Sequence, residues 1–280
     1  MNGMQDRYAV IGNPIEHSKS PLIHAAFAKQ TGENLTYAKI LGNLKHFEQD
    51  AIGFFQQGGR GLNVTVPFKE RAWRLADSLG SEAQSAGAVN TLVALPDGSL
   101  RGENTDGIGL VRDLTINHRC LLSGSRILLL GAGGAARGVA GQLLAQGPER
   151  LFIANRTAVK AQALVQRLSR QGNPEWGGLE DLAGQQFDLI INSTSAGLNA
   201  EVPALPDGVL APGAWVYDLM YASEPTAFVT WGRAQHAAKC LDGLGMLVEQ
   251  AAESFYLWRG VRPETAPVIA ALSRAGNNPR

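Results

Sequence analysis

Residues 126–137 read RILLLGAGGAAR, and no other stretch of the chain limits its possible folds as strongly. A short aliphatic run ends in Gly131-Ala132-Gly133-Gly134, and small residues follow. That order predicts a buried strand, a glycine turn and a helix, with bare backbone N–H groups aimed at whatever lies over the turn. Glycine turns of this kind also serve packing alone, so the residues that follow decide between the two uses. The next strand is expected over 151–154, and it ends in Asn155-Arg156-Thr157 with Lys160 three residues on. NAD binders usually carry an acid at that strand end to hold the ribose 2′-hydroxyl. An acid repels a 2′-phosphate, whereas a guanidinium can pair with one bidentately. The basic strand end asks for NADP(H).

At 280 residues the chain is long enough for one large or two ordinary domains. Its 25 basic and 25 acidic residues cancel, so no charge excess argues for nucleic acid or an anionic membrane as partner. No apolar stretch approaches a bilayer span, and the opening MNGMQDRYAVIG reads as lacking a signal-peptide core. Cys120 and Cys240 are too few and too isolated for a disulfide framework or a zinc cluster. Free thiols in a cytoplasmic protein without a metal are the expectation.

Strand-like and helix-like segments alternate from the start: strands at 8–12, 36–40, 61–66 and 88–94, helices at 21–31, 47–57 and 70–77, and a turn at 96–98. Such alternation implies a mostly parallel, buried sheet. A helical bridge at 108–114 leads to a second α/β series from 126 to about 242, with later strands at 188–192 and 214–218 and loop-rich stretches at 174–184 and 199–213. Beyond residue 243 the pattern turns helical, at 246–259 and 264–275. The fold class expected is α/β: a substrate domain over 1–106, a Rossmann-type dinucleotide-binding domain over 107–242, and C-terminal helices over 243–280. Work in such a molecule falls in the cleft between domains, at the carboxyl ends of the strands.

Four clusters lie at such places. In GNPIEHSKSP, residues 12–21, Ser20 with Pro21 reads equally as a helix N-cap or, with Ser18, as a site for a small carboxylate. His17 and Lys19 read as solvated. In NVTVPFK, residues 63–69, Asn63 and Thr65 point to one side of a buried strand and need polar partners, from a hydroxylated substrate or from neighbouring backbone. Lys69 opens a helix, where the macrodipole disfavours a cation, and that misfit favours a function. Asn90 and Asp106, each in a turn-like setting, read singly as turn or cap residues. Taken with Lys69, Asp106 suggests a lysine–aspartate pair at the cleft.

GNPIEHSKSP, NVTVPFK, GAVNT, NTDG, GAGGAAR, NRT, NSTSAG (192–197), YDLMY (217–221) and DGLGMLVEQA (242–251) occur in this order over nearly the whole chain. In this the chain strongly resembles the shikimate dehydrogenase family. The resemblance implies that Ser18 and Ser20 hold a carboxylate, and that Thr65, Asn90, Asp106, Tyr221 and Gln250 contact ring substituents, with Asn63 lining the same pocket. It makes Lys69 the catalytic acid/base, paired with Asp106. For NADP(H) it implies a diphosphate cradle at Gly131, Ala132, Gly133, Gly134 and Ala135, and a 2′-phosphate site at Asn155, Arg156, Thr157 and Lys160. Leu219 and Gly243 fall on the nicotinamide side, and Thr194 joins the cofactor contacts. The implied activity is reversible, NADPH-dependent reduction of 3-dehydroshikimate to shikimate by a monomer or homodimer. In that reaction a cationic Lys69 stabilises and protonates the developing alkoxide. Lys160 stands where the family often has arginine, a point charge replacing a planar fork. Leu219 replaces a common methionine, one apolar residue for another. The rival readings are a quinate/shikimate dehydrogenase of broader specificity and a non-catalytic NADPH sensor on the same scaffold.

Overall fold

The computed structural model describes residues 5–194 and 202–276. The amino-terminal half runs β1 (Asp6–Gly12), α1 (Ser20–Thr31), β2 (Leu35–Leu41), α2 (Phe47–Gln56), β3 (Gly59–Val64), α3 (Lys69–Leu75), β4 (Ser78–Leu79), α4 (Ser81–Ala86), β5 (Thr91–Ala94) and β6 (Leu100–Glu103). Its sheet has the order β2-β1-β3-β5-β6-β4. Only part of it is parallel: β1 pairs parallel with β2 and β3, whereas β5 runs antiparallel to both β3 and β6. β4 pairs parallel with β6, so three of the five pairings are parallel and the expectation of a mostly parallel sheet holds, with β5 as the exception. The turn after Leu95 returns the chain as a hairpin into β6, a four-residue strand too short to stand out in the sequence.

The chain then crosses to a second body through α5 (Asp106–Arg112), which continues as one π-helical stretch, Asp113–Asn117, rather than as the single helix expected over 108–114. There follow β7 (Arg126–Leu130), α6 (Gly134–Leu144), β8 (Arg150–Ala154), α7 (Ala158–Leu168), β9 (Glu175–Gly177), β10 (Phe187–Asn192), β11 (Leu210–Asp218), α8 (Ala227–Ala234) and β12 (Lys239–Leu241). The stretch read as loop over 174–184 thus contains an edge strand, and part of the loop expected at 199–213 falls outside the described residues. Every pairing in this sheet is parallel, in the order β12-β11-β10-β7-β8-β9. That is the doubly wound dinucleotide-binding arrangement, with its reversal of strand order between β7 and β10.

Burial on both faces explains the near-continuous apolar strands. Ile127, Leu129, Ile153 and Ile191 face one core with α6 and α7, while Leu128, Leu130, Phe152 and Ile190 face another with Phe187 and Phe228. In the first sheet Ala9, Ile11, Leu62 and Val64 pack on Phe47, Phe54 and Phe68. The last helices, α9 (Leu244–Arg259) and α10 (Ala266–Gly276), return to the first body. Val248, Ala252 and Phe255 of α9 share a core with Ile23 and Phe27 of α1. The α/β class and the carboxy-terminal change of pattern were both legible in the sequence.

Candidate active site

A cavity of about 480 Å³ opens between the two sheets. Its lining takes residues from the ends of β1 and β3, from α3, α5 and α9, and from the turns after β10 and β11. The glycine after β1 shapes it: a Cβ on Gly12 would lie 2.4 Å from Thr65 Cγ2, so only glycine lets Thr65 sit where it does. Of the expected residues, Ser18, Ser20, Asn63, Thr65, Lys69, Asn90, Asp106, Tyr221 and Gln250 line this one cavity, together with Ala135, Thr194, Leu219 and Gly243.

Lys69 is the first residue of α3, and its Nζ donates to Asp106 Oδ2 at 2.6 Å. The pair is largely buried, with 21 % of the lysine and 9 % of the aspartate side chain exposed. The other carboxylate oxygen is also held: Asn90 Nδ2 donates to Asp106 Oδ1 at 2.8 Å. Asn90 is itself fixed, since its Oδ1 accepts from Thr105 N at 2.9 Å and its Nδ2 also donates to Thr105 Oγ1. The turn reading of Asn90 and Asp106 therefore fails. Asp106 opens α5 instead of capping it, and the Asn90 amide is engaged in positioning the carboxylate.

Asn63 projects from β3, and its Nδ2 donates to Asn90 O, Thr91 Oγ1 and Ser254 Oγ. Its Oδ1 accepts from Tyr37 Oη at 2.6 Å. Thr65 lies just past the strand end, which comes at Val64 rather than at residue 66. Gln250 Oε1 lies 3.4 Å from both Asn90 Nδ2 and Thr105 Oγ1. Ser20 is not an N-cap: α1 starts at Ser20, Lys19 occupies the cap position without a side-chain cap bond, and the Ser20 N–H donates to Ser18 Oγ at 3.3 Å. The Ser20 hydroxyl instead accepts from Ser18 Oγ at 3.2 Å, and both serines remain at the cavity wall beside a helix start. Lys19 is more than a solvated charge, because its Nζ lies 5.6 Å from the centre of the Tyr221 ring across the cleft. Burial raises the Tyr221 phenol above its ordinary range.

Thr91, Thr105, Ser254 and Tyr37, which support the polar wall from behind, were not singled out in the sequence, nor were the lining residues Ser193, Met220 and Met246. Ser254 had a signal: it falls four residues after Gln250 on one helix and so shares its face. The apolar liners carry none, since any core residue looks like them.

The other expected residues gather at the second sheet. Gly131 follows β7 with φ +106, and a Cβ there would come within 2.7 Å of Ser193 Oγ, so this turn requires glycine. Gly133 caps α6 with no side chain contributing, which leaves the first N–H groups of the helix open toward the strand-order reversal. Ala132 and Gly134 complete the turn. At the end of β8, Asn155 Nδ2 donates to Thr157 O, shaping the loop. Arg156, Thr157 and Lys160 are exposed, and among the described residues neither cation has an ion-pair partner. These four lie apart from the cavity, as a site for the far end of a long ligand should. Thr194 N and Oγ1 both donate to Asn192 Oδ1, and residues 195–197 of that motif lie outside the described residues. Gly243 closes the wall: a Cβ there would stand 2.2 Å from Leu219 O. A dinucleotide with a 2′-phosphate fits this donor set, with open helix N–H groups at one end and unpaired cations at the other.

Three family models match the chain: the shikimate dehydrogenase substrate binding domain over residues 10–92, shikimate / quinate 5-dehydrogenase over 115–200, and the shikimate 5'-dehydrogenase C-terminal domain over 243–272. The shikimate dehydrogenase (NADP(+)) of Alkalilimnicola ehrlichii is 58% identical over 269 residues, 96% of this chain and 99% of that protein. The chain belongs to the shikimate dehydrogenase family. A second shikimate dehydrogenase (NADP(+)), from Cellvibrio japonicus, is 56% identical over 97% of this chain and 98% of its own. The crystal structure of shikimate 5-dehydrogenase from Thermus thermophilus in complex with NADP(H) and shikimate superposes with a TM-score of 0.85 at 32% identity, covering 97% of this chain and 100% of that one.

Proposed function

We propose that this member of the shikimate dehydrogenase family reduces 3-dehydroshikimate reversibly to shikimate with NADPH, using Lys69 and Asp106 as its proton-handling pair. The observation that carries the reading is the 2.6 Å Lys69–Asp106 contact inside a cavity whose walls offer paired serines on one side and amides on the other. NADPH, when bound, supplies a hydride to the ring ketone. As negative charge grows on the ketone oxygen, the Lys69 ammonium stabilises it and gives up a proton to it. Asp106 keeps that ammonium aimed, and Asn90 keeps Asp106 in place. Ser18, Ser20 and the start of α1 suit the substrate carboxylate. Asn63, Thr65, Asn90, Tyr221 and Gln250 offer partners to its hydroxyls.

For the cofactor we assign Gly131, Ala132, Gly133, Gly134 and Ala135 to the diphosphate. Asn155, Arg156, Thr157 and Lys160 are assigned to the 2′-phosphate, and Thr194, Leu219 and Gly243 to the nicotinamide end. The substrate domain is assigned to residues 1–106, the cofactor domain to 107–242, and the returning helices to 243–280. Cys120 and Cys240, both free thiols, suit a reducing cytoplasm.

Steady-state reduction of NADP⁺ with shikimate and with quinate, side by side, tests this reading. Turnover of shikimate well above quinate is the expected result, because a site built to pair particular hydroxyls penalises an analogue that leaves its buried groups stranded. Comparable rates would assign the broader quinate/shikimate activity. NADPH binding without turnover of either would leave a sensor.

A further inference from the structure

One ion pair between the two bodies is left unused by the chemistry above. Glu70 follows Lys69 in α3, and Arg137 stands one turn into α6; Arg137 Nη2 bonds to Glu70 Oε1. Helical side chains lean toward the helix N-terminus, and this guanidinium reaches back over the first turn of α6, with Nη2 3.9 Å from where a Cβ on Gly134 would be. Its Nε is buried and has no hydrogen-bond partner among the described residues. A guanidinium carries five N–H donors in a fixed fork; this one gives Nη2 to Glu70 and has Nε to spare beside a helix start, where anions are favoured. The hydrogen bond and charge of Arg137 hold the Glu70 carboxyl below its ordinary range. A carboxylate thus stands next to the helix start assigned to the cofactor diphosphate, holding the arginine nearest to it.

We propose that Arg137 is a ligand of the cofactor diphosphate and that Glu70 competes with the cofactor for it. Without cofactor the guanidinium rests on Glu70. When NADP(H) enters, Arg137 turns to the diphosphate, and on release Glu70 takes it back. This rests on the NADP(H) reading above and adds to it an exchange step. About half of the Glu70 side chain is exposed. Ion pairs at such sites are weak, so giving this one up costs no more than about fivefold in affinity. A diphosphate offers more charge and a second acceptor for the fork.

Binding of NADPH, followed by its fluorescence, tests this on the full chain and on Glu70→Gln, Arg137→Met and the double variant, with thermal melts to establish that each is folded. Glu70→Gln is expected to tighten binding by about two- to fivefold, since it frees the arginine. Arg137→Met weakens it by about tenfold, the loss of a charge-assisted contact. In the Arg137→Met background Glu70→Gln then has no effect. Unchanged or weaker binding by Glu70→Gln alone overturns the exchange. So does tightening that persists without Arg137, which would mean plain repulsion between Glu70 and the cofactor. A wild-type chain that binds no NADPH would overturn the cofactor assignment together with the exchange. If Arg137→Met does not fold, Arg137→Lys, which keeps the charge but loses the fork, is expected to weaken binding less than tenfold but measurably; wild-type affinity there also overturns the proposal.

Discussion

Lys69 sits at the positive end of a helix, where its charge is disfavoured, and Asp106 Oδ2 at 2.6 Å offsets that misplacement. Such an arrangement is kept where the charge has work to do at the cavity it faces. Replacing Lys69 with Ala removes the proton donor and the alkoxide stabiliser together, so kcat is expected to fall by about 10²–10⁴ with a modest change in KM. Steady-state assays check this, and near-normal turnover would take Lys69 out of the mechanism. Arg156, exposed at the end of β8, is proposed to hold the 2′-phosphate at the other end of the ligand. Arg156→Asp is expected to weaken NADPH while sparing NADH, and an unchanged NADPH/NADH preference in parallel titrations would refute its assignment. The sequence singles out both residues because each breaks a local rule: a cation at a helix start, a base where an acid is usual. Ser20 was half legible. Ser-Pro at a helix start is a capping signature whether or not the hydroxyl caps, and only the structure shows that hydroxyl bonded to Ser18.

Three helices, α5, α6 and α9, carry the site between the sheets, and glycines set how closely they pack. A Cβ on Gly109 of α5 would lie 2.7 Å from Gln250 Cβ and 2.8 Å from Gln250 N on α9. A Cβ on Gly138 of α6 would lie 2.9 Å from Asp106 Oδ2. Backbone cannot yield as a side-chain tip can. Gly109→Ala is therefore expected to force α5 from α9 at a cost of about 1–3 kcal/mol, read by urea unfolding, with activity falling because Asp106 and Gln250 separate. Wild-type stability would show that the helices have room. Among the elements, the strand–turn–helix of residues 126–144 was readable because its apolar run, glycines and small residues agree with one another. The direction of β5 was not readable. Two helices precede it, as they would a parallel strand, yet it runs antiparallel to β3, and the hairpin accounts only for its pairing with the short β6.

Acidification should weaken the whole molecule through His24. Its ring is buried among Phe27, Tyr37, Phe255 and Trp258 and stacks on Tyr37 at 4.2 Å. Burial lowers its pKa from 6.5 to about 3. Between those values the unfolded chain binds a proton that the folded chain refuses, so stability falls as pH drops below 6.5. From pH 7 to pH 5 the loss from this one group is about 2 kcal/mol, and His24→Phe should lose correspondingly less in urea titrations at the two pH values. Asp218 and Asp242, raised by burial, act in the opposite sense, because the folded chain takes up their protons first. Comparing wild type with the variant isolates the histidine, and identical pH slopes would clear it. The two bodies are joined by passages of chain just before α5 and just before α9; Asp106 begins the first of these helices and Gly243 precedes the second, with Gln250 less than two turns further on. A lobe that swings on its neighbour must pivot at those joints. The widest sweep then falls at the sheet margins, while the carboxylate that steers the proton rides close to the axle. Such a jaw can gape for a long dinucleotide and shut again with its chemistry scarcely disturbed.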